Sequence, residues 1–269
     1  MRPEVQSRAS RQQARQHAIS EAVMSEGAVR IEDLAERFGV SVMTVHRDLD
    51  ELEDRGLLRK DRGVATAAAT SLVESSDVYR ASRQLGEKEA IAHEALNFIE
   101  PGQAIFLDDS TTTLHVLPHL HTKTPLTIIT NTLTIMNELR GTRGITTVGL
   151  GGEYHNWCSS FMGRMTVREI SELRADLFIM STSAIIDDIC FHQTLETVDV
   201  KRAMFESASK RILLVDGTKF EKRALHAMLP LSAFDAVIVD ASTSATEINR
   251  LRDKGIHVQV ARRLTSPRV

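Results

Sequence analysis

The sequence IEDLAERFGVSVMTVHRDLDELEDRGLLRKDR, residues 31–62, decides the fold of the N-terminal part of the chain. Residues 31–38 predict a short amphipathic helix, because their apolar side chains recur at helical spacing on one face. Gly39-Val40 predicts a tight turn, and Ser41 can cap a second helix over residues 42–56. Two short helices joined by a glycine-containing turn are typical of a helix-turn-helix, whose second helix enters the major groove of DNA.

The second helix has one apolar face and one polar face. Val45, Leu49 and Leu52 fall at positions i, i+4 and i+7, so we expect them to pack on the first helix. Arginine can donate two hydrogen bonds to guanine, methionine can contact a thymine methyl group, and hydroxyls and amides near a helix start suit phosphates. The residues predicted to contact DNA on the polar face are Ser41, Met43, Thr44, His46 and Arg47.

The segment that follows, LLRKDRGVAT at residues 57–66, predicts a basic-tipped hairpin, the wing of a winged helix. Its predicted DNA contacts are Arg59, Lys60 and Arg62. Helical hairpins also occur on surfaces that never touch nucleic acid, but a wing directly after the helix favours DNA binding. Residues 1–65 carry eleven Lys/Arg and twelve Asp/Glu, so the positive charge is localised. Since one small domain offers few contacts, we expect a homo-oligomer, a dimer or a tetramer, on double-stranded operator DNA.

The length of the chain, 269 residues, leaves room for two domains, and its hydrophobic content of 42% supports a substantial core. We predict a winged helix-turn-helix domain over residues 1–66, with residues 1–14 as a flexible arm. Residues 67–86 are predicted to be a linker and the start of a connecting helix, which extends over residues 77–100. Residues 87–269 are predicted to form an α/β domain that senses an effector.

Composition argues against several other classes of protein. No apolar run approaches the roughly 20 residues of a membrane-spanning helix, and the N-terminus lacks the apolar core of a signal peptide. Cys158 and Cys190 lie outside any C-x-x-C pattern, so neither a disulfide framework nor a cysteine zinc site is indicated. We therefore expect a cytoplasmic protein with no cofactor, no metal and no membrane partner. Three histidines near the helix-breaking Pro118 indicate a solvated helix end and not a metal site: His115, His119 and His121.

From Gln103 onward, short apolar runs alternate with helical stretches. This alternation predicts a mostly parallel, doubly wound α/β sheet, because strands buried on both faces and separated by crossover helices form such sheets. The predicted strands are residues 104–108, 126–130, 145–150, 177–181, 211–216, 236–240 and 257–261. The predicted helices between them are residues 113–120, 133–141, 161–173, 197–209 and 245–255.

Polar loops follow several of these strands, where ligands of doubly wound sheets bind. The hydroxyl-rich loop 108–113 runs into a helix, and a helix N-terminus favours an anion. Glycines in another loop would let the backbone approach a ligand closely, and a lysine adds an ammonium. Plain helix capping explains any one loop, but their convergence on one rim predicts a site for a phosphorylated small molecule. The predicted effector-binding residues are Asp108, Asp109, Ser110, Thr111, Thr112, Thr113, Asn131, Gly151, Gly152, His192 and Lys219.

Some residues near this rim have two interpretations. His192 is predicted either to bind a ligand hydroxyl or to be an ordinary, satisfied loop histidine. Residues 155–158 could line the pocket or cover it as a flap. Lys201 and Arg202 lie on a predicted helix, and we expect them at the surface and not at a ligand.

These motifs together resemble the deoxyribose-operon repressor (DeoR) family of bacterial transcription factors, across nearly the full length of the chain. The family's N-terminal pattern appears as LAERFGVSVMTVHRDLDELEDRG, residues 34–56. Its later landmarks appear in the right order: E-K-x-x-I-A at 87–92, D-x-x-T-T-T at 108–113, T-N at 130–131, G-G at 151–152 and D-x-x-K-F at 216–220. The resemblance implies a winged helix-turn-helix joined to a sensor domain shaped like ribose-5-phosphate isomerase, and repression of carbohydrate operons until a sugar phosphate binds.

The chain departs from the family pattern at three places. His46-Arg47 stands where two arginines are common, which predicts a different base preference and weakly pH-sensitive DNA binding. Arg62-Gly63 replaces the usual Gly-Gly of the wing and adds a charge. In the phosphate loop, Asp109-Ser110 replaces the usual Ser-Gly, and a carboxylate there repels phosphate unless it turns toward sugar hydroxyls.

The sequence therefore predicts a DNA-binding transcriptional regulator, a repressor of a carbohydrate-metabolism operon that a phosphorylated sugar or polyol releases from DNA. The competing prediction is an isomerase-like enzyme with an appended DNA-binding domain, in which Asp108 or Asp109 is the base and Lys219 stabilises the enediolate. We predict no enzyme and no catalytic residues, because catalysis requires no DNA-reading domain and a fold does not imply its function. An oligomeric scaffold that binds no DNA is the third alternative.

Overall fold

The structure, a computed structural model, describes residues 8–54, 57–67, 80–81 and 83–262. By its contacts the chain divides into two compact units, Met1–Arg80 and Ala81–Val269. This division falls inside the segment 67–86, most of which lies outside the described residues.

The first unit combines three helices with a small antiparallel sheet, within its described residues. Its elements in chain order are α1 (Arg8–Glu26), β1 (Ala28–Arg30), α2 (Ile31–Phe38), α3 (Val42–Asp54), β2 (Leu58–Asp61) and β3 (Val64–Ala67). Strand β3 lies between β1 and β2 and pairs antiparallel with both. The predicted helix-turn-helix and wing are therefore confirmed.

The helix-turn-helix follows from the local chemistry of its turn. Gly39 adopts a φ of +62°, which ends α2, and the Ser41 hydroxyl accepts a hydrogen bond from the Thr44 amide to begin α3. Val45, Leu49 and Leu52 are fully buried, as predicted. Burying each of these side chains stabilises the unit by about 1.5–3 kcal/mol relative to leaving it exposed.

Helix α1 was not predicted, and it corrects the arm assigned to residues 1–14. Residues 8–14 are helical, whereas residues 1–7 lie outside the described residues. The helix is held because Ile19 and Val23 are fully buried on one face and Arg15 forms an ion pair with the buried Asp48, with an Nε–Oδ2 distance of 2.6 Å. The spacing of Ile19, Ala22 and Val23 was the available signal.

The second unit is built on a seven-stranded parallel sheet within residues 83–262. Its strand order is β15-β14-β12-β9-β4-β5-β6. The bounds of these strands are β4 Ala104–Leu107, β5 Leu126–Thr130, β6 Ile145–Gly149, β9 Ala175–Ser181, β12 Ala208–Val215, β14 Ala236–Val239 and β15 Val258–Val260. All seven coincide with predicted strands, and the doubly wound α/β fold is confirmed.

Helices cover both faces of this sheet. They are α4 (Leu85–Ala95), α5 (Thr111–Leu114), α6 (Leu133–Glu138), α7 (Arg164–Ser171), α8 (Leu195–Glu206) and α9 (Ala245–Asp253), with short 3-10 helices at 96–98, 117–123, 217–220 and 231–233. Neighbouring residues of one strand, such as Phe178 and Ile179, pack into separate hydrophobic clusters on opposite faces. This burial on both sides explains the unbroken apolar runs of the strands.

Two small antiparallel sheets were missed by the sequence analysis. One is the hairpin β7 (Glu153–His155) with β8 (Ser160–Met162), and the other joins β10 (Ala184–Ile186), β11 (Ile189–His192) and β13 (His226–Pro230). These strands are three to five residues long, too short for a reliable period-2 pattern. Residues 161–162 are therefore strand and not helix, and residues 208–209, predicted to be helical, open β12.

The predicted connecting helix over residues 77–100 is wrong in its extent. Residues 83–84 are not helical, Gln84 has a φ of +54°, and α4 begins only at Leu85. A residue in the left-handed region interrupts an α-helix because its carbonyl points away from the helix axis. Among the described residues, no helix is both long enough and apolar enough to cross a lipid bilayer.

Candidate functional site

The polar face of α3 is exposed in the first unit. Met43 is 70% exposed, and Arg47 is also exposed, whereas His46 and Thr44 are half-buried. The Ser41 and Thr44 hydroxyls lie 2.9 Å apart at the start of the helix, beside its first amides. The face thus presents a long apolar side chain and a guanidinium, the groups that read base edges, beside hydroxyls that suit phosphates.

The wing presents only part of its predicted charge. Arg59 and Arg62 are exposed, with Arg62 and Gly63 at φ of +46° and +78° in the tight turn between β2 and β3. Lys60 is different, because its ammonium pairs with Asp50 of α3 and its amide donates to Glu53. Lys60 therefore ties the wing to the recognition helix, a role the sequence analysis did not assign to it.

In the second unit, the centre of the sheet is a topological switch point. Successive strands run outward from β4 through β5 to β6, and in the opposite direction from β9 through β12 and β14 to β15. A doubly wound sheet opens a crevice where the strand order reverses, beyond the carboxyl ends of the two central strands. Here that crevice lies between the loops after β4 and β9, which begin at Asp108 and Thr182.

Asp108 is the hub of this crevice and is 1% exposed. Its Oδ2 accepts from the Ser181 amide at 3.0 Å and from the Ser110 hydroxyl at 2.8 Å. Its Oδ1 accepts from the Ser110 amide at 3.1 Å and from the Thr113 hydroxyl at 3.0 Å. The bond to Ser181 joins the end of β9 to the end of β4. The bonds to Ser110 and Thr113 hold the loop 108–113 against Asp108, its first residue.

Lys201, on α8, completes the cluster and corrects the expectation that it lies at the surface. It is 1% exposed, and its Nζ lies 2.5 Å from Asp108 Oδ2 and 3.1 Å from Asp109 Oδ1. The same ammonium donates to the Ser110 hydroxyl at 3.0 Å. Burial alone would lower the pKa of Lys201, but the two carboxylates outweigh burial and raise this pKa, so the amine stays protonated.

Both departures from the usual loop sequence, Asp109 and Ser110, thus contact Lys201. The Asp109 carboxylate is 4% exposed and does not face solvent. The Lys201 ammonium therefore lies between two carboxylates, and Lys88 adds a second buried ammonium at the same loop.

The remaining residues of the loop 108–113 are buried and hold its shape. Lys88 of α4, which is 3% exposed, donates to the Thr111 hydroxyl at 3.0 Å. Thr112 is buried, and the Thr113 hydroxyl, 2.6 Å from the Ser110 carbonyl, shares its one proton between that carbonyl and Asp108. At the predicted anion site, α5 has a single turn and the Ser110 amide donates to Asp108.

The other predicted effector loops differ in what they contact. Asn131, 1% exposed, follows β5 directly beside Asp108, since β4 and β5 pair through Leu107 and Thr130. Gly151 instead donates its amide to Glu169 of α7 at 2.9 Å. A Cβ at Gly152 would lie 2.1 Å from Thr166 Oγ1, so packing against α7 requires this glycine, which the sequence analysis had assigned to ligand approach.

Lys219 and His192 are both buried near other strand ends. Lys219, 8% exposed, follows β12, and its Nζ lies 3.8 Å from Asp216 Oδ2. His192, 1% exposed, ends β11 and is therefore a strand residue and not a loop residue. Cys190, on the same strand, is inert as a nucleophile because burial raises the pKa of its thiol to about 12.

The segment His155–Cys158 forms the turn of the β7–β8 hairpin and not a separate flap. The His155 and Trp157 rings meet edge to face at 6.1 Å, Trp157 packs against the sheet core, and Cys158 is buried. Of the three histidines near Pro118, His115 and His119 both contact Glu89, at 3.1 and 2.8 Å. Among the described residues, no group of three or more His, Cys, Asp or Glu side chains is arranged to hold a metal ion.

Two buried lysines at this loop, Lys88 and Lys201, are absent from the predicted site residues. On α8 the buried positions include Thr197, Val198 and Met204, and Lys201 lies three residues from the last two of these on the same face. A lysine inside an apolar stripe was therefore the available signal for Lys201. The available signal for Lys88 was its position in the E-K-x-x-I-A segment, one turn before buried Ala92.

Comparisons with known proteins agree with both units. The family model for the DeoR C-terminal sensor domain matches residues 83–241, and that for the DeoR-like helix-turn-helix domain matches residues 15–71. A ribose 5-phosphate isomerase from Plasmodium falciparum is similar in structure at a TM-score of 0.37, with 16% identity over 49% of this chain and 52% of that one. A likeness of that size assigns neither a function nor a ligand.

Relatives with curated descriptions are similar over most of their length. The transcriptional repressor AccR of Agrobacterium fabrum is 33% identical over 86% of this chain and 90% of its own. The glycerol-3-phosphate regulon repressor of Escherichia coli is 32% identical over 93% and 99%, and the lactose phosphotransferase system repressor of Staphylococcus epidermidis is 32% identical over 82% and 89%. The chain, with its exposed recognition helix and its buried charged crevice, belongs to the DeoR family of DNA-binding transcriptional regulators.

Proposed function

We propose that this protein represses a carbohydrate-metabolism operon and that a phosphorylated sugar or polyol, bound in the second unit, releases it from DNA. The observation that carries the effector part is the buried cluster of Lys201, Asp108 and Asp109 at the switch point of the sheet. Burying three charges is costly, and a protein retains such a cluster where it positions groups for a ligand. The names of the similar repressors, which include a sugar phosphotransferase system and a glycerol-3-phosphate regulon, support the same class of operon.

In the proposed complex with DNA, the side chains of Met43, His46 and Arg47 contact the base edges. Ser41, Thr44, Arg59 and Arg62 contact phosphates, and Lys60 positions the wing through Asp50. One such unit offers few contacts, so the protein acts as a homo-oligomer, a dimer or a tetramer, on repeated half-sites in the bacterial cytoplasm.

The protein performs this role without catalysis. An isomerase base needs a free lone pair for the substrate proton, and a carboxylate offers about four. Asp108 lies within hydrogen-bond distance of five donors: Lys201, two backbone amides and two hydroxyls. This geometry makes Asp108 a structural residue and disfavours it as the base of the enzymatic alternative.

The test is fluorescence-polarisation binding to the DNA upstream of the protein's own gene and its neighbours, at two salt concentrations. Glucose 6-phosphate, ribose 5-phosphate, glycerol 3-phosphate and their unphosphorylated forms are added in turn. We expect sequence-selective, salt-sensitive binding that one phosphorylated compound releases. Arg47→Ala should weaken binding by about 1–3 kcal/mol and relax base preference, whereas Arg143→Ala, an exposed residue of the second unit, should not. Turnover of a sugar phosphate without selective DNA binding would contradict the proposal.

A further inference from the structure

Two buried polar groups flank Asp108, one on each side, and neither has a partner within the described protein. They are Asn131 Oδ1 and Ser183 Oγ, in side chains that are 1% and 4% exposed. Asn131 follows β5 and Ser183 follows β9, and both of these strands pair with β4, which Asp108 directly follows. A buried polar atom without a partner inside the protein points to a partner outside it.

The orientation of the Asn131 amide is determined by its neighbour. The Asn131 Nδ2 donates to the Phe161 carbonyl at 2.8 Å, and the backbone carbonyl of Asn131 accepts from the Phe161 amide at 2.8 Å. Because a carbonyl can only accept, the amide cannot be flipped, and Oδ1 is the atom without a partner. Oδ1 is an acceptor, so it requires a donor from the ligand.

A phosphate does not supply that donor. Phosphate oxygens are acceptors, and the partial negative charge of Oδ1 repels them. A sugar hydroxyl donates and accepts, so it satisfies both Asn131 Oδ1 and the Ser183 hydroxyl. The adjacent Thr182 hydroxyl differs, because it is already bonded to the Phe191 carbonyl at 2.8 Å.

We propose that Asn131 and Ser183 bind hydroxyl groups of the sugar or polyol effector, whose phosphate lies toward Lys219. This inference rests on the proposed function and adds the orientation of the effector. Strands β5 and β12 are three strand spacings apart, about 14 Å between the backbones at about 4.8 Å each. The hydroxyl end and the phosphate end of the effector therefore meet different parts of the rim.

The test is isothermal titration calorimetry on the full chain with glycerol 3-phosphate, ribose 5-phosphate, glucose 6-phosphate and sorbitol 6-phosphate. Ser183→Ala and Asn131→Ala should each weaken the tightest-binding compound about tenfold, the effect of one hydrogen bond. Ser232→Ala and Asn137→Ala, at exposed positions, are the matched controls and should bind as the wild type does.

Ligand analogues test the same contact without changing the protein. The compounds 2-deoxyribose 5-phosphate and 2-deoxyglucose 6-phosphate lack the 2-hydroxyl. If Asn131 or Ser183 binds that hydroxyl, replacing that residue with alanine should weaken binding of the deoxy compound less than binding of the parent sugar phosphate. Wild-type affinity in both variants would overturn the inference while leaving sugar-phosphate sensing intact. Failure of every phosphorylated compound to bind the wild type would overturn the proposed effector class together with the inference.

Discussion

Lys201 and Asp108 are 93 residues apart in the chain, and their side chains form a buried ion pair with an Nζ–Oδ2 distance of 2.5 Å. The pair joins α8 to the loop after β4, and through the Ser181 amide it also joins the end of β9. Three elements that are distant in sequence are therefore held together by one carboxylate at the place where a ligand of this fold binds.

Replacing Lys201 with methionine should destabilise the second unit by about 3–5 kcal/mol, because two buried carboxylates lose their counter-charge. Urea unfolding measures this loss, and the variant should also lose effector release in the DNA-binding assay. Lys210→Met is the matched control: Lys210 is exposed and lies over the Phe98 ring, so its loss should cost about 1 kcal/mol or less. A Lys201→Met protein as stable as the control would contradict the role assigned to the pair.

Arg62→Gly separates the charge of the wing from its conformation. Glycine fits the φ of +46° at this position without strain but increases the entropy of the unfolded chain, so stability should change by about 1 kcal/mol or less. The DNA contact is lost, and the slope of log affinity against log salt should become shallower by about one unit. Polarisation titrations at several salt concentrations measure the slope. An unchanged slope would mean that Arg62 does not meet phosphate.

Gly152→Ala should be considerably more destabilising than Gly102→Ala. Both glycines have positive φ, +148° and +93°, which costs an alanine about 1–3 kcal/mol. Only at Gly152 would the new Cβ also collide with Thr166 Oγ1 and with the Met162 carbonyl, at 2.1 and 2.6 Å, whereas Gly102 has open space. We expect a further 1–3 kcal/mol from this overpacking, measured by thermal unfolding. Equal losses in the two variants would show that the contact with α7 adjusts freely.

Asp188→Asn should make stability less dependent on pH. Asp188 lies in the turn between β10 and β11, and its pKa is lowered chiefly by hydrogen bonds from Arg250 of α9, against the effect of burial, with Lys254 adding to the lowering. A carboxylate whose folded-state pKa is lowered stabilises the protein near neutral pH, and this stabilisation disappears as the pH falls through that pKa.

Since Arg250 and Lys254 are more than a third exposed, the wild type should exceed Asp188→Asn by only about 1 kcal/mol at pH 7. The difference should approach zero in acid, and urea unfolding between pH 7 and pH 3 follows it. Asp253→Asn, at an exposed position of α9, should show no such difference. A gap between wild type and Asp188→Asn that persists at pH 3 would contradict the assignment.

Local sequence patterns were enough to predict the helix-turn-helix and the central parallel sheet. The helix over 31–38 and the strand over 126–130 have the predicted bounds, because caps, turns and apolar periods act between residues close in sequence. The crevice was predicted at the carboxyl ends of the strands for a similar reason, since the position of ligand sites follows from the order of elements.

Other features depended on contacts that no local pattern carries. Helix α1 has a weak apolar face and is held by an ion pair with Asp48, 33 residues away. The connecting helix is broken at Gln84 although its composition favours a helix. The glycines at 151–152 were predicted to contact a ligand. Instead, the Gly151 amide donates to Glu169 of α7, and Thr166 of α7 lies where a Cβ of residue 152 would be.

By itself, therefore, the sequence determined the family, the helix-turn-helix and the parallel sheet whose strand ends form the predicted ligand rim, because each follows from short-range periodicity and motif order. Only the tertiary structure decided that Lys201 is buried between two carboxylates and that Asn131 and Ser183 flank them. The physical reason is that the burial and charge balance of a side chain are set by neighbours from distant segments, which fold topology alone brings together.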